Sequence, residues 1–125
     1  MNRAAILLTA ALALLPGMAV SKPPSARATI ILESHRYAPA PIYLAGGVRT
    51  RLIFINRAGK THDFTAREFF GTSRILAGRV VRGEVSVPPG RSRVVDLIPT
   101  RGTYKVHCSE FGHRLLGMST MVIVN

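Results

Sequence analysis

Beyond residue 27 the chain alternates between apolar and polar positions with a period of two, broken at short intervals by Gly and Pro. Ala28-Thr-Ile-Ile-Leu-Glu33 predicts a first strand, and Tyr37 to Pro41 predicts an extended, proline-interrupted crossing suited to a sheet edge. Ile42-Tyr-Leu44 leads into a Gly46-Gly47 turn, and Val48 to Asn56 predicts a strand that buries Leu52, Phe54 and neighbouring Ile residues. Thr65 to Leu76 is the one stretch suited to a helical turn. Arg79 to Val87 and Ser92 to Ile98 predict two strands split by Pro88-Pro89-Gly90, and Thr103 to Cys108 and Met118 to Val124 predict the last two. Seven or eight short strands with turn signals between them predict an all-β, antiparallel β-sandwich with one short helical turn. No internal repeat or low-complexity segment interrupts the pattern.

The first residues follow a different rule. Met1-Asn-Arg3 carries one positive charge, Ala4 to Leu15 is an apolar run, and Pro16-Gly17 with Ala19 supplies a small-residue break. These are the three parts of a secretory signal peptide, and the apolar run is shorter than the roughly 20 residues a membrane-spanning helix needs. The expected organisation is a signal peptide over 1–19, a flexible lead-in over 20–27 containing Ser21-Lys-Pro-Pro-Ser25, and one domain over 28–125. The mature chain is therefore expected outside the cytoplasm, in a periplasmic compartment.

Charge narrows the partners. With 17 basic and 6 acidic residues the formal net charge is +11, and loss of Arg3 with the leader lowers it by one. The basic residues are scattered along the chain, without a recognition helix, zinc-finger spacing or aromatic platform, and the chain has no Trp. Nucleic acid is disfavoured; an acidic protein partner or an anionic membrane surface is expected. A monomer is expected.

The candidate chemistry lies in two segments. Cys108-Ser-Glu-Phe-Gly-His113-Arg-Leu-Leu-Gly-Met118 holds the only cysteine, and Asn56-Arg-Ala-Gly-Lys-Thr-His62-Asp-Phe64 supplies a second histidine after a strand. An unpaired cysteine in an exported protein is a free thiol, an intermolecular link, a buried inert residue or a metal ligand. Parity sorts the neighbours: Tyr104, Val106 and Cys108 share the core face, whereas His107 points outward. Met118 shares a face with Thr120, Val122 and Val124, while Met121 has the opposite parity and is assigned to packing. His35 has no partner motif and is expected in solvent. Taken singly, His62 reads as a surface histidine and Met118 as core. Together, one thiolate, two imidazoles and a weakly held thioether are the donor set of a blue-copper electron-transfer site. Zinc fits less well, because its tetrahedral sites take Cys, His or carboxylate in preference to a thioether. A Cys–His nucleophile pair lacks an assignable orienting group.

These two segments resemble those of the cupredoxins, the plastocyanin, azurin and auracyanin family of small blue copper proteins. Asn56-Arg-Ala-Gly-Lys-Thr-His62-Asp63 is similar to the plastocyanin stretch carrying the first histidine ligand. The final loop has the family's Cys, His, Met order with four residues in each gap, a spacing closer to auracyanins than to plastocyanins. Gly102-Thr-Tyr104 and Pro89-Gly90 are also similar, so the resemblance spans nearly the whole mature chain. It implies a Greek-key sandwich, one copper ion held by His62, Cys108, His113 and Met118, and one-electron transfer without catalysis. One departure is Asp63, where the family has Asn; that residue links the two ligand loops by hydrogen bonds, and Asp can still accept them. Cys108-Ser-Glu110 also resembles the binuclear copper motif of cytochrome oxidase subunit II, but the second bridging cysteine is missing. Beside the resemblance, the residues themselves predict a redox partner, a cytochrome or membrane oxidoreductase with an acidic docking surface. His113 is flanked by Gly112, Leu115, Leu116 and Gly117 and is expected in an apolar patch rimmed by Arg114, Lys60 and Arg57. The alternative on the same fold is copper buffering or delivery, although no Met- or His-rich tract favours it. Oxidase or nitrite chemistry would call for His-x-His pairs, which the chain lacks.

Overall fold

The computed structural model describes residues 17, 23–110 and 118–125. In it the alternating segments form β1 (Ala26–Leu32), β2 (Tyr37–Ala38), β3 (Ile42–Leu44), β4 (Thr50–Asn56), β5 (His62–Thr65), α1 (Arg67–Thr72), β6 (Arg74–Ala77), β7 (Glu84–Val87), β8 (Ser92–Ile98), β9 (Gly102–His107) and β10 (Ser119–Val124). The strands make two five-stranded sheets, ordered β2-β1-β4-β8-β6 and β3-β10-β9-β5-β7. The proposed signal peptide lies outside the described residues apart from Gly17. Of the lead-in, Pro23 to Ser25 precede the sandwich, and β1 starts at Ala26, two residues earlier than the alternation suggested.

The chain is all-β with one short helix, as expected, but four details differ. Ten strands form among the described residues, where seven or eight were expected. Pro39 and Pro41 divide the Tyr37–Leu44 stretch so that β2 joins one sheet and β3 the other. The helix stops at Thr72, and Arg74–Ala77 becomes β6; Arg82 and Gly83 then turn at positive φ, leaving only Glu84–Val87 of the expected Arg79–Val87 strand, as β7. The sandwich is also not wholly antiparallel: β1 runs parallel to β4, and β3 parallel to β10.

Between the sheets the inward faces meet as the alternation requires. Along β4 every second residue, Thr50, Leu52, Phe54 and Asn56, is buried. Phe54 and Phe64 pack with ring centroids 4.9 Å apart, and Tyr37 meets Phe64 edge-on at 5.6 Å. Helix α1 adds Phe69 and Phe70, and Phe69 packs on Tyr104 at 5.5 Å. Each such side chain withdrawn from water stabilises the fold by about 1.5–3 kcal/mol. Tyr104 Oη donates to the Thr100 carbonyl at 2.8 Å, and this phenol crosses Gly102, where a Cβ would come within 2.8 Å of the hydroxyl. Gly102 sits at φ 153°, so a glycine is what lets the ring fold back over the start of β9. That anchor holds the start of β9, which runs to His107 and is followed at once by Cys108.

Candidate metal centre

Three chain segments meet at one end of the sandwich: the turn between β4 and β5, the end of β9, and the start of β10. The turn is built by Asn56. Its side-chain amide donates to the carbonyls of Lys60 and Val87, both at 2.8 Å, and its oxygen accepts from the Ala58 N–H at 2.8 Å. One buried side chain thereby satisfies three main-chain groups, ties the turn to β7, and fixes where the chain enters β5.

His62 opens β5 opposite Val87. Parity places His62 and Phe64 on the inner face and Asp63 and Thr65 on the other. The His62 Nδ1 lies 3.7 Å from Cys108 Sγ, across 46 residues of sequence. Both are sealed from solvent, His62 at 2 % exposure and Cys108 at 0 %, and Met118 is also at 0 %. The Cys108 N–H donates to the Met118 carbonyl at 3.1 Å, so the two ends of the final loop are joined where β9 and β10 part. The structure therefore brings together His62, Cys108 and Met118. His113 lies outside the described residues.

Around the sulfur the backbone is oriented. The Asp63 N–H points at Cys108 Sγ at 3.5 Å. Burial pushes the Cys108 thiol up from its ordinary range, while the backbone N–H groups of Asp63 and Glu110 pull the other way by favouring a thiolate. The Asp63 carboxylate, itself fully buried, accepts from the Ser109 N–H, the Ser109 hydroxyl and the Thr65 hydroxyl, the last at 2.7 Å. The acceptor role expected of Asp in place of Asn is filled. The Tyr37 hydroxyl donates to the Asp63 carbonyl at 2.6 Å, and its pKa is raised, first by burial and then by the charges of Cys108 and Asp63, so it stays a donor.

Two features here escaped sequence reasoning. Tyr37 stands 26 residues from Asp63, on a two-residue strand, and nothing local marks it as a support for the site. His35 is exposed, as expected, yet it lines a recess of about 330 Å³ together with Ala58, Gly59, Lys60 and His62. His107 points away from the sulfur, and Met121 stands on the outer side of β10, both as parity required. Among the described residues, no three His, Cys, Asp or Glu side chains gather as a metal cluster. The described donors are instead one imidazole, one thiol and one thioether-bearing residue, a combination suited to a soft, redox-active ion such as copper and poor for hard cations.

The comparisons identify the family and the fold. The profile of the cupredoxin-like domain matches residues 4–124, and the chain belongs to that family. Among solved structures, auracyanin B matches with a TM-score of 0.61 at 18% identity, covering 85% of this chain and 93% of auracyanin B. A multicopper oxidase from Campylobacter jejuni, described as a metallo-oxidase, matches with a TM-score of 0.64 at 15% identity, over 86% of this chain but 31% of the oxidase. A copper-containing nitrite reductase from Thermus scotoductus matches with a TM-score of 0.61 at 15% identity, over 83% of this chain and 32% of the reductase. At these identities the likeness is one of fold. Among curated proteins none matches the sequence.

Proposed function

We propose that this chain is a one-electron carrier of the blue-copper type, with His62, Cys108, His113 and Met118 as its ligands. The observation that carries the reading is the approach of His62 Nδ1 to Cys108 Sγ at 3.7 Å in a place sealed from water. When bound, copper supplies a centre that alternates between Cu(II) and Cu(I). The residues around it keep its surroundings from changing. Asp63 and Glu110 direct N–H groups at the sulfur, which lowers the energy of a thiolate there. Asp63 clasps Ser109, Tyr37 holds the Asp63 carbonyl, and Asn56 fixes the turn that presents His62. Such a frame keeps donors in place through a change of charge and so keeps reorganisation small.

The match to auracyanin B over nearly its full length supports a carrier, whereas the Campylobacter jejuni oxidase and the nitrite reductase are matched over about a third of a larger chain. Export to the periplasm by residues 1–19 suits a single cysteine that is occupied by a metal. Arg57 and Lys60, on the turn before His62, together with Arg114, favour an acidic redox protein, a cytochrome or membrane oxidoreductase; a peripheral contact with an anionic membrane is compatible. Copper buffering or delivery on the same fold is the rival reading, and the near-complete burial of His62, Cys108 and Met118 disfavours ready release.

Voltammetry of the copper-loaded protein, paired with competition by a Cu(I) chelator, separates the two. A carrier shows a reversible one-electron couple and retains both oxidation states. Loss of Cu(I) to the chelator on reduction would favour delivery.

A further inference from the structure

At the end of β4 remote from His62, three arginines surround one carboxylate. The parallel register sets Arg27 of β1 beside Arg51 of β4, and the antiparallel register sets Arg51 beside Asp96 of β8. All three stand on the outer face, because the next residues along, Ala28, Leu52 and Val95, turn toward the core. Arg51 spans Asp96 with both arms of its fork, Nε to Oδ1 at 2.8 Å and Nη2 to Oδ2 at 2.9 Å. Arg49, just before β4, joins Arg27, Arg51 and Asp96 in lining a recess of about 500 Å³, which Pro23 and Pro24 also line.

Charge and hydrogen bonding are both left over here. One carboxylate offsets one guanidinium, and two more face the same recess. Arg27 directly beside Arg51 is a like-charge neighbour pair of the kind that destabilises a sheet. The field of Arg49 and Arg27 reaches Asp96, whose carboxyl is held below the usual carboxylate range, first by the Arg51 hydrogen bond and less strongly by the charges of the other two. The Arg49 Nε is buried and has no hydrogen-bond partner among the described residues. A buried donor without an acceptor is unfavourable and calls for one. Asp96 does not supply it: its hydrogen bonds from these arginines are those of Arg51, and none reaches it from the Arg49 Nε.

We propose that Arg27 and Arg49, beside an Arg51 held in place by Asp96, form a binding site for a phosphate-type anion. Planar guanidinium forks match tetrahedral oxyanions, and two of them with excess charge in one recess are the usual means of holding phosphate. The same chemistry is offered by free phosphate or a phosphomonoester and by a phospholipid headgroup. Because the recess lies at the opposite end of β4 from His62, occupancy leaves the candidate metal centre free to dock elsewhere.

The test uses the full mature chain. Arginine Nε–Hε resonances are followed by NMR during titration with inorganic phosphate, and cosedimentation is measured with vesicles of phosphatidylglycerol and of phosphatidylcholine. The site predicts a saturable shift at Arg49 Nε–Hε with phosphate, weakened about tenfold or more in an Arg27→Gln variant, and an accompanying shift at Arg51 Nε–Hε that is lost in an Arg27→Gln/Arg49→Gln variant. Preferential sedimentation with phosphatidylglycerol, lost in that variant, assigns the anion to a lipid headgroup; phosphate binding without vesicle preference assigns it to a free phosphate. Absence of any saturable shift at Arg49, together with equal vesicle binding by both proteins, overturns the proposal. So does a phosphate response that the double variant retains in full. Should that variant fail to fold, Arg27→Lys/Arg49→Lys keeps the charge without the fork and is expected to bind more weakly than the wild type.

Discussion

The carboxylate of Asp63 holds Ser109 by three contacts, two from the Ser109 N–H at 2.9 and 3.0 Å and one from its hydroxyl at 2.6 Å. Asp63 follows His62 and Ser109 follows Cys108, so this clasp locks together the two segments that carry the candidate ligands. Asp63→Asn keeps one acceptor and turns the other oxygen into a donor facing donors. The expected loss is about 1–3 kcal/mol in urea unfolding of the metal-free protein. In the copper-loaded protein, removing the negative charge is expected to raise the reduction potential, because the more highly charged oxidised ion loses a favourable neighbour. An unchanged potential with lowered stability would leave Asp63 as a clasp alone.

Asn56 supports the other side of the site through the carbonyls of Lys60 and Val87 and the N–H of Ala58. Asn56→Ala orphans those groups in a buried place and is expected to cost about 2–4 kcal/mol. Asn56→Asp, which lacks the donating amide, should be no better. Urea midpoints of the two variants check this, and near-equal midpoints for wild type and Asn56→Ala would remove the role assigned to this residue.

Asp96 gives the fold a defined acid response. Its carboxyl is depressed, first by the Arg51 hydrogen bond against the opposing effect of burial. A group whose folded pKa lies below its unfolded value contributes stability above the unfolded value, roughly pH 4, and loses it as pH falls through the folded one. The stability gap between wild type and Asp96→Asn is therefore expected to be widest near neutral pH and to narrow toward about pH 3. A gap that stays constant across this range contradicts the assignment.

Met118 is fully buried beside Cys108, and its volume is close to that of leucine. Met118→Leu should change stability by less than about 1.5 kcal/mol, as volume-conserving core exchanges do. If the Met118 thioether were to serve as a weak copper donor, its loss would destabilise the oxidised ion more than the reduced one, and the potential would rise. A shift in stability without a shift in potential would mark Met118 as packing.

How much of this was legible in the sequence depends on what alternation can encode. Parity placed Tyr104, Val106 and Cys108 inward and His107 outward, because each residue's face is a local property of its strand. Alternation has the same period in parallel and antiparallel sheets, so the parallel partnership of β1 with β4 left no mark in it. The division of Tyr37–Leu44 between two sheets was hidden for a related reason: Pro39 and Pro41 signal a break, not which sheet each piece joins. That Asp63 would accept hydrogen bonds linking the two ligand segments followed from the family resemblance, whereas its partner Ser109 and the reach of Tyr37 to it come from the fold alone. His35 read as an isolated solvent histidine and remains exposed, but only the fold shows that it shares a recess with His62.

The central claim, that Cys108 and His62 converge to hold copper, is tested most directly by the visible spectrum of the mature protein on addition of Cu(II). One equivalent is expected to produce an intense blue thiolate-to-copper absorption, absent from Cys108→Ser and lost or strongly altered in His62→Ala. A wild-type spectrum showing only the weak bands of nitrogen- and oxygen-bound Cu(II), unchanged by Cys108→Ser, would contradict it.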